Sequence, residues 1–282
     1  MGTARPRPVV TRESIAHDLS RLGFGGGDVV FFHSSLKSLG WVEGGPDAVI
    51  DAFLDVVASD GLVIVPTLTW TFASYGPARL PFDPQETPSR VGAISEALRR
   101  RPEARRSAHP THSIAAIGRR AGELVAGHDK TSTFGKDSPY RRYVDWGAKI
   151  LFLGVKLTCN TTLHAVEDWL DMPYLAIERA VIKGAGGRPQ IIEVTKSPMG
   201  DRDFYRSDSK VERLLRRAGV MRRGKVGAAD SLWMPAQEMV EVVVNGIYQE
   251  PTLLLCDDEG CKFCSRYRQP TIEHVSRNRP RI

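Results

Sequence analysis

A short run near the middle of the chain, Asn160-Thr161-Thr162-Leu163-His164-Ala165-Val166-Glu167-Asp168-Trp169, carries the residue types of acid–base catalysis. Asn160, Thr161 and Thr162 are good helix caps, which places His164 in a first helical turn. Glu167 at i+3 and Asp168 at i+4 then share its face. Two fields compete at the imidazole. The helix N-terminus disfavours the imidazolium by ~0.3–1 kcal/mol, and a poorly solvated carboxylate in contact favours it by more. The pairing predicts an imidazole in a fixed tautomer, a general base for an amine or hydroxyl proton. The same spacing also fits a capped helix with a structural histidine.

Other constellations are weaker. His33, His109, His112 and His164 could serve a metallohydrolase, but His109-Pro110-Thr111-His112 sets two imidazoles three apart across a proline, a poor metal pair. Cys256-x4-Cys261-x2-Cys264 offers three thiols where structural zinc normally takes four ligands, with His274 and Cys159 as candidates for the fourth. Reduced thiols in a turn are the expectation for this tail, which starts at about residue 251, and no metal is assigned. Cys159, beside Asn160, is the rival nucleophile for a ping-pong scheme. Gly23 to Asp28 lacks the third glycine of a dinucleotide fingerprint, Gly135-Lys136 lacks the rest of a P-loop, and no Gly-x-Ser-x-Gly elbow is present.

The elements that must position His164 alternate along the chain. Thr11 to Leu22 has apolar residues at helical spacing, Val29 to Phe32 reads as a strand, Asp47 to Val57 as a helix, and Leu62 to Val65 as a buried strand. Val91 to Arg101 returns to helix, Ile114 to Ile117 and Ile150 to Leu153 to strand. Continuous apolar strands alternating with helices imply an α/β layered fold around a parallel or mixed sheet. In such sheets ligand crevices open beyond the carboxyl ends of strands, where the loop after Leu153 delivers His164. Thr67 to Ser89 has neither period and is expected to cover a site. Val181 to Lys183 and Gln190 to Val194 suggest an antiparallel hairpin, and Val211 to Ala218 and Ala236 to Ile247 suggest helices. No composition break forces a boundary, so 1–282 is read as a single domain.

With 282 residues, 41% hydrophobic and 26% charged, this is a globular composition with ample chain for a core. Met1 to Val10 has no apolar h-region and no run approaches the ~20 residues of a membrane span, so a cytoplasmic setting without membrane association is expected. The net charge of +6 is spread over the chain. It carries no zinc-finger spacing, RNP-like string or basic heptad region, which argues against a nucleic-acid partner.

The central run resembles the Asn-Thr-Thr-Leu-His-x-x-Glu signature of the aminoglycoside N3-acetyltransferase family of antibiotic-modifying enzymes. Further blocks agree in order: His33-Ser34-Ser35-Leu36-Lys37-Ser38-Leu39-Gly40, Gly44-Gly45-Pro46, Phe82-Asp83-Pro84, Arg106-Ser107-Ala108-His109-Pro110, Phe134-Gly135 with Ser138-Pro139, and Gly224-Lys225-Val226-Gly227. The resemblance spans about Val29 to Ile247. It implies a three-layer α/β/α sandwich with a mixed sheet, unlike the GNAT acetyltransferases, and acetyl-CoA as co-substrate with no metal required for catalysis. It assigns His164 as the base, oriented by Glu167, and sets His33, Ser34, Ser35, Leu36, Lys37 and Ser38 along the pantetheine arm. Arg106, Ser107 and Ser113 would help hold coenzyme A. A homodimer is compatible with it.

The acceptor implied is a small-molecule amine, foremost the 3-amino group of an aminoglycoside. Its ammonium groups call for carboxylates, and Asp201, Asp203 and Asp168 are the candidates, with Trp70 as an apolar wall. The run Thr67-Leu68-Thr69-Trp70-Thr71-Phe72 contains no acid, which favours a flatter or less cationic amine. The alternatives are therefore an acetyltransferase of this fold acting on a non-aminoglycoside amine, or a coenzyme A-binding protein without such activity.

Overall fold

The computed structural model describes residues 9–69, 81–196 and 202–279. Trp70 and Asp201 lie outside the described residues. The chain opens with β1 (Val9–Val10) and α1 (Arg12–Arg21), which Thr11 caps: its hydroxyl accepts from Ser14 N–H at 3.2 Å, and Ser14 Oγ accepts from Thr11 N–H at 3.0 Å. β2 (Val29–Ser34), a 3-10 turn (Leu36–Leu39), β3 (Trp41–Val42), α2 (Gly45–Val57) and β4 (Leu62–Pro66) follow. Next come α3 (Ala93–Arg100), β5 (Arg105–Arg106), β6 (Ile114–Gly118), α4 (Ala121–Val125), α5 (Pro139–Asp145), β7 (Lys149–Leu153) and α6 (Thr161–Trp169). The remainder is β8 (Ala176–Lys183), β9 (Pro189–Lys196), α7 (Lys210–Arg217), β10 (Arg222–Val226), β11 (Ala229–Pro235), α8 (Ala236–Gln249) and α9 (Lys262–Asn278).

Seven strands form one mixed sheet in the order β10-β11-β7-β2-β4-β6-β5. β2 runs parallel to both β4 and β7, and β6 and β11 run antiparallel to their inner neighbours. Strand alternation sends successive side chains to opposite faces. Val30 and Phe32 face one cluster with Ile15, Leu19 and Phe53 of the α1 and α2 layer. Phe31 faces the other, with Tyr143 of α5, Val166 of α6 and Val243 of α8. The three-layer α/β/α sandwich with a mixed sheet is thus present. Burial of each such side chain contributes about 1.5–3 kcal/mol, so the two faces are held independently.

The expected hairpin is β8–β9, paired antiparallel from Ala176–Lys196 to Lys183–Pro189. Phe82 pins it from outside: its N–H donates to Val181 O (2.9 Å), its carbonyl accepts from Lys183 N–H (2.8 Å), and its ring packs on Ile182 and Val194. The tail departs from expectation. Rather than ending in a turn, Cys261 caps the 17-residue helix α9. Pro270 inside that helix and its scattered apolar residues hide the helical period from sequence reading.

Candidate active site

At the end of β7 the chain must turn sharply to enter α6. Gly154 makes this possible: its φ is +68°, and a Cβ there would stand 2.5 Å from Ser38 Cβ. Ser38 Oγ donates to Gly154 O at 3.0 Å, joining the β2 loop to the β7 loop across the sheet's carboxyl edge. Asn160 then caps α6, its Oδ1 accepting from Thr162 N–H at 3.1 Å, and Tyr143 OH meets Thr162 Oγ1 at 2.8 Å. His164 therefore stands in the first turn on an anchored helix.

Its side chain heads a buried polar chain. His164 Nδ1 lies 2.6 Å from Glu167 Oε2, and Glu167 Oε1 accepts from Arg202 Nε at 2.8 Å. Glu167 and Arg202 side chains are inaccessible to solvent, whereas His164 retains 15% exposure. Burial alone would raise the Glu167 carboxyl. The Arg202 charge foremost, with hydrogen bonds from His164 and Arg202, overcomes this and holds it at about 2. An ionised carboxylate only accepts, so Nδ1 carries a proton, and in the neutral imidazole this leaves the lone pair on Nε2. Tyr205 OH lies 3.0 Å from that nitrogen. Burial pushes this phenol up to about 12, so it donates. Phe204 sets its ring edge-on to the imidazole at 5.3 Å, and Phe134 stacks at 6.3 Å.

His164 and Tyr205 open onto a cavity of about 360 Å³, also lined by His33, Ser34, His112 and Cys159. Burial lowers His33 and His112 to about 3, leaving neutral walls. Cys159 also reaches the cavity; its residue is exposed, and partial desolvation of the sulfur raises its thiol. The ring nitrogens of His33, His109, His112 and His164 do not gather: the triad of sulfurs in the tail is the only metal-ligand cluster found among the described residues. His109 is turned away, its Nδ1 accepting from His112 N–H at 3.1 Å.

The side chains expected to help hold coenzyme A also bond within the chain. Arg106 donates from Nε to Thr67 Oγ1 and Ser113 Oγ (both 3.1 Å), and from its terminal nitrogens to Thr67 O (2.9 Å), Pro84 O (3.2 Å) and Thr87 O. Its fork is thus spent on protein carbonyls, and burial lowers it to about 9. Ser113 Oγ donates to Thr67 O at 2.8 Å, and Ser107 Oγ accepts from Ile114 N–H at 3.0 Å beside His128 Nδ1. Neither serine lines the cavity. His33 and Ser34, the last residues of β2, line it. Ser35, Leu36, Lys37 and Ser38 do not, and Ser35 and Ser38 bond each other at 3.0 Å.

Of the expected acceptor acids, Asp168 and Asp203 are described, and neither lines the cavity. Asp203 accepts from Lys210 N–H at the start of α7 and lies off the cavity. Asp168 accepts from Ser132 Oγ at 3.2 Å on the side of α6 toward β9. Sequence reasoning missed Arg202 as the partner of Glu167 and Tyr205 as the partner of His164. Both lie about 35 positions after α6, in the segment whose Asp201 and Asp203 drew attention as acids and whose Phe204-Tyr205 run is aromatic.

Residues 31–247 match the model of the family described as aminoglycoside 3-N-acetyltransferase. The chain belongs to this family. It is 36% identical to aminoglycoside N(3)-acetyltransferase VII of Streptomyces paromomycinus over 258 residues, covering 82% of this chain and 89% of that protein. It is 34% identical to aminoglycoside N(3)-acetyltransferase IX of Micromonospora chalcea, covering 84% and 93%. Among solved structures it is similar to the apoenzyme of the aminoglycoside acetyltransferase AAC(3)-IVa (TM-score 0.80, 26% identity, 94% of this chain and 99% of that one). It is also similar to AAC-IIIb in its binary complex with CoASH (TM-score 0.77, 27% identity, 89% and 100%). This aminoglycoside 3-N-acetyltransferase family member is therefore a transferase by descent. No helix among its described residues is long and apolar enough to cross a membrane.

Proposed function

We propose that the chain transfers the acetyl group of acetyl-CoA to the 3-amino group of an aminoglycoside, with His164 as general base. The observation that carries this reading is the His164–Glu167–Arg202 chain opening onto a neutral cavity. The acceptor amine replaces the Tyr205 hydroxyl at Nε2 and attacks the thioester carbon. His164 takes the amine proton, and the C–S bond of the tetrahedral intermediate breaks. The departing thiolate then takes the proton from Nε2, so one amide and one thiol form and the base is regenerated. Glu167 stabilises the transient imidazolium through Nδ1–H, and Arg202 keeps that carboxylate ionised. Direct attack needs no acyl-enzyme, in keeping with the raised Cys159 thiol.

His33 and Ser34, at the carboxyl end of β2, would touch the pantetheine arm; their position on the cavity wall supports this. A second reading, an acceptor that is not an aminoglycoside, is favoured by one observation. No carboxylate lines the described part of the cavity, and Asp203 is committed to α7. The two readings are separated by incubating the protein with acetyl-CoA and either gentamicin or a panel of arylamines and amino acids. Mass and NMR analysis of the product should show a single acetyl on the 3-amino group of gentamicin. Exclusive acetylation of a non-sugar amine would select the second reading. A resistance role follows from the first, as modification removes a cationic centre from the antibiotic.

A further inference from the structure

The sulfurs of Cys256, Cys261 and Cys264 all lie within 4.8 Å of one another at the entry to α9. A tetrahedral zinc site with Zn–S bonds of about 2.3 Å separates its sulfurs by about 3.8 Å, so small side-chain rotations close the cluster on an ion. The surrounding backbone suits thiolates. Cys256 N–H donates to Cys264 Sγ at 3.3 Å, and Cys264 N–H donates to Cys261 Sγ at 3.5 Å. Cys261 is the N-cap of a long helix, whose positive end favours negative charge. A tight turn shapes the loop between the first two sulfurs, with Gly260 N–H donating to Asp258 Oδ1 at 2.8 Å.

We propose that Cys256, Cys261 and Cys264 form a structural zinc site that pins the start of α9 to the segment before it. Zinc binding displaces the thiol protons, and water supplies the fourth ligand at the partly exposed Cys261. Two nearby side chains that could supply that ligand are engaged elsewhere. Asp257 Oδ1 accepts from Lys210 Nζ at 2.8 Å, and His274 Nε2 lies 2.8 Å from Leu170 O. The clip has a structural consequence for the site described above. Phe263, between two of the ligands, lies over the Arg202 guanidinium at 4.4 Å, and Tyr174 lies over the same guanidinium at 4.7 Å. Holding Phe263 in place keeps Arg202 on Glu167.

The test is metal analysis of the full chain, purified under reducing conditions and equilibrated with zinc alone. One zinc per chain is expected, with thiolate charge-transfer and tetrahedral ligand-field bands on Co2+ substitution. Cys261→Ser combined with Cys264→Ser should abolish both signals, whereas Cys159→Ser should retain them. Chelation should lower the melting temperature and open α9 to proteolysis. Should the double variant fold poorly, the Co2+ spectrum of the unmodified chain decides by itself. A reduced wild-type chain without stoichiometric metal, a double variant that binds as wild type, a disulfide within the cluster, or an unchanged melting temperature after zinc removal would each overturn the proposal.

Discussion

Acidification is the perturbation whose effect the structure specifies most fully. His33 and His128 are buried and His112 is half-buried, and desolvation lowers them to about 3, about 4 and about 3, while burial and the neighbouring His128 and His112 hold His109 well below its usual value. Each stays neutral in the folded chain, at pH values where the unfolded chain protonates it near 6.5. The folded values are depressed, so the unfolded state binds more protons below pH 6.5. The stability these residues contribute is present above that value and drains away as pH falls toward 4 and 3. Between pH 7.5 and 5.5 each costs about 1.3 kcal/mol, so the four together cost about 5 kcal/mol. That is a large share of an ordinary domain stability of about 5–15 kcal/mol. Urea unfolding followed by tryptophan fluorescence at pH 7.5, 6.5 and 5.5 measures it directly. A loss under about 1 kcal/mol across that window would refute the view that these imidazoles are held neutral.

Glu167→Gln should reduce turnover less than removal of His164 does, and should move the acid limb of the pH–rate profile to lower pH as the imidazolium loses its carboxylate; an unmoved limb would place Glu167 outside the proton path. Arg202→Leu should destabilise the fold by about 3–5 kcal/mol, since it strands a buried carboxylate, and a urea midpoint close to wild type would contradict the pairing. Asp203→Asn should leave KM for gentamicin unchanged at all salt concentrations, because its carboxylate accepts from Lys210 N–H. A salt-sensitive rise in KM would return Asp203 to the acceptor site.

Local signals made much of the fold legible. Apolar spacing announced the first helix and Asn160 the helix of His164 as its cap, and the apolar runs at Val29, Leu62 and Ile150 are central strands whose alternating side chains feed two cores. The pairing of His164 with Glu167 was legible because three positions along a helix is a contact. Arg202 and Tyr205 were not, because their approach to α6 depends on tertiary packing that no local period encodes. The bonds of Arg106 were not legible either: in sequence it stands beside a serine, and only tertiary structure brings its fork to the carbonyls of Thr67, Pro84 and Thr87. Pro270 concealed α9, and with it the placement of Cys261 at a helix cap.

The central claim is that His164 takes the proton from the attacking amine. It is tested most directly by coenzyme A release from acetyl-CoA in the presence of gentamicin, comparing wild type with His164→Ala and measuring coenzyme A affinity of both by calorimetry. Turnover should fall about 10²–10⁴-fold, the usual worth of a general base, with coenzyme A affinity nearly unchanged. A His164→Ala enzyme that turns over at close to the wild-type rate would show that another group accepts the proton.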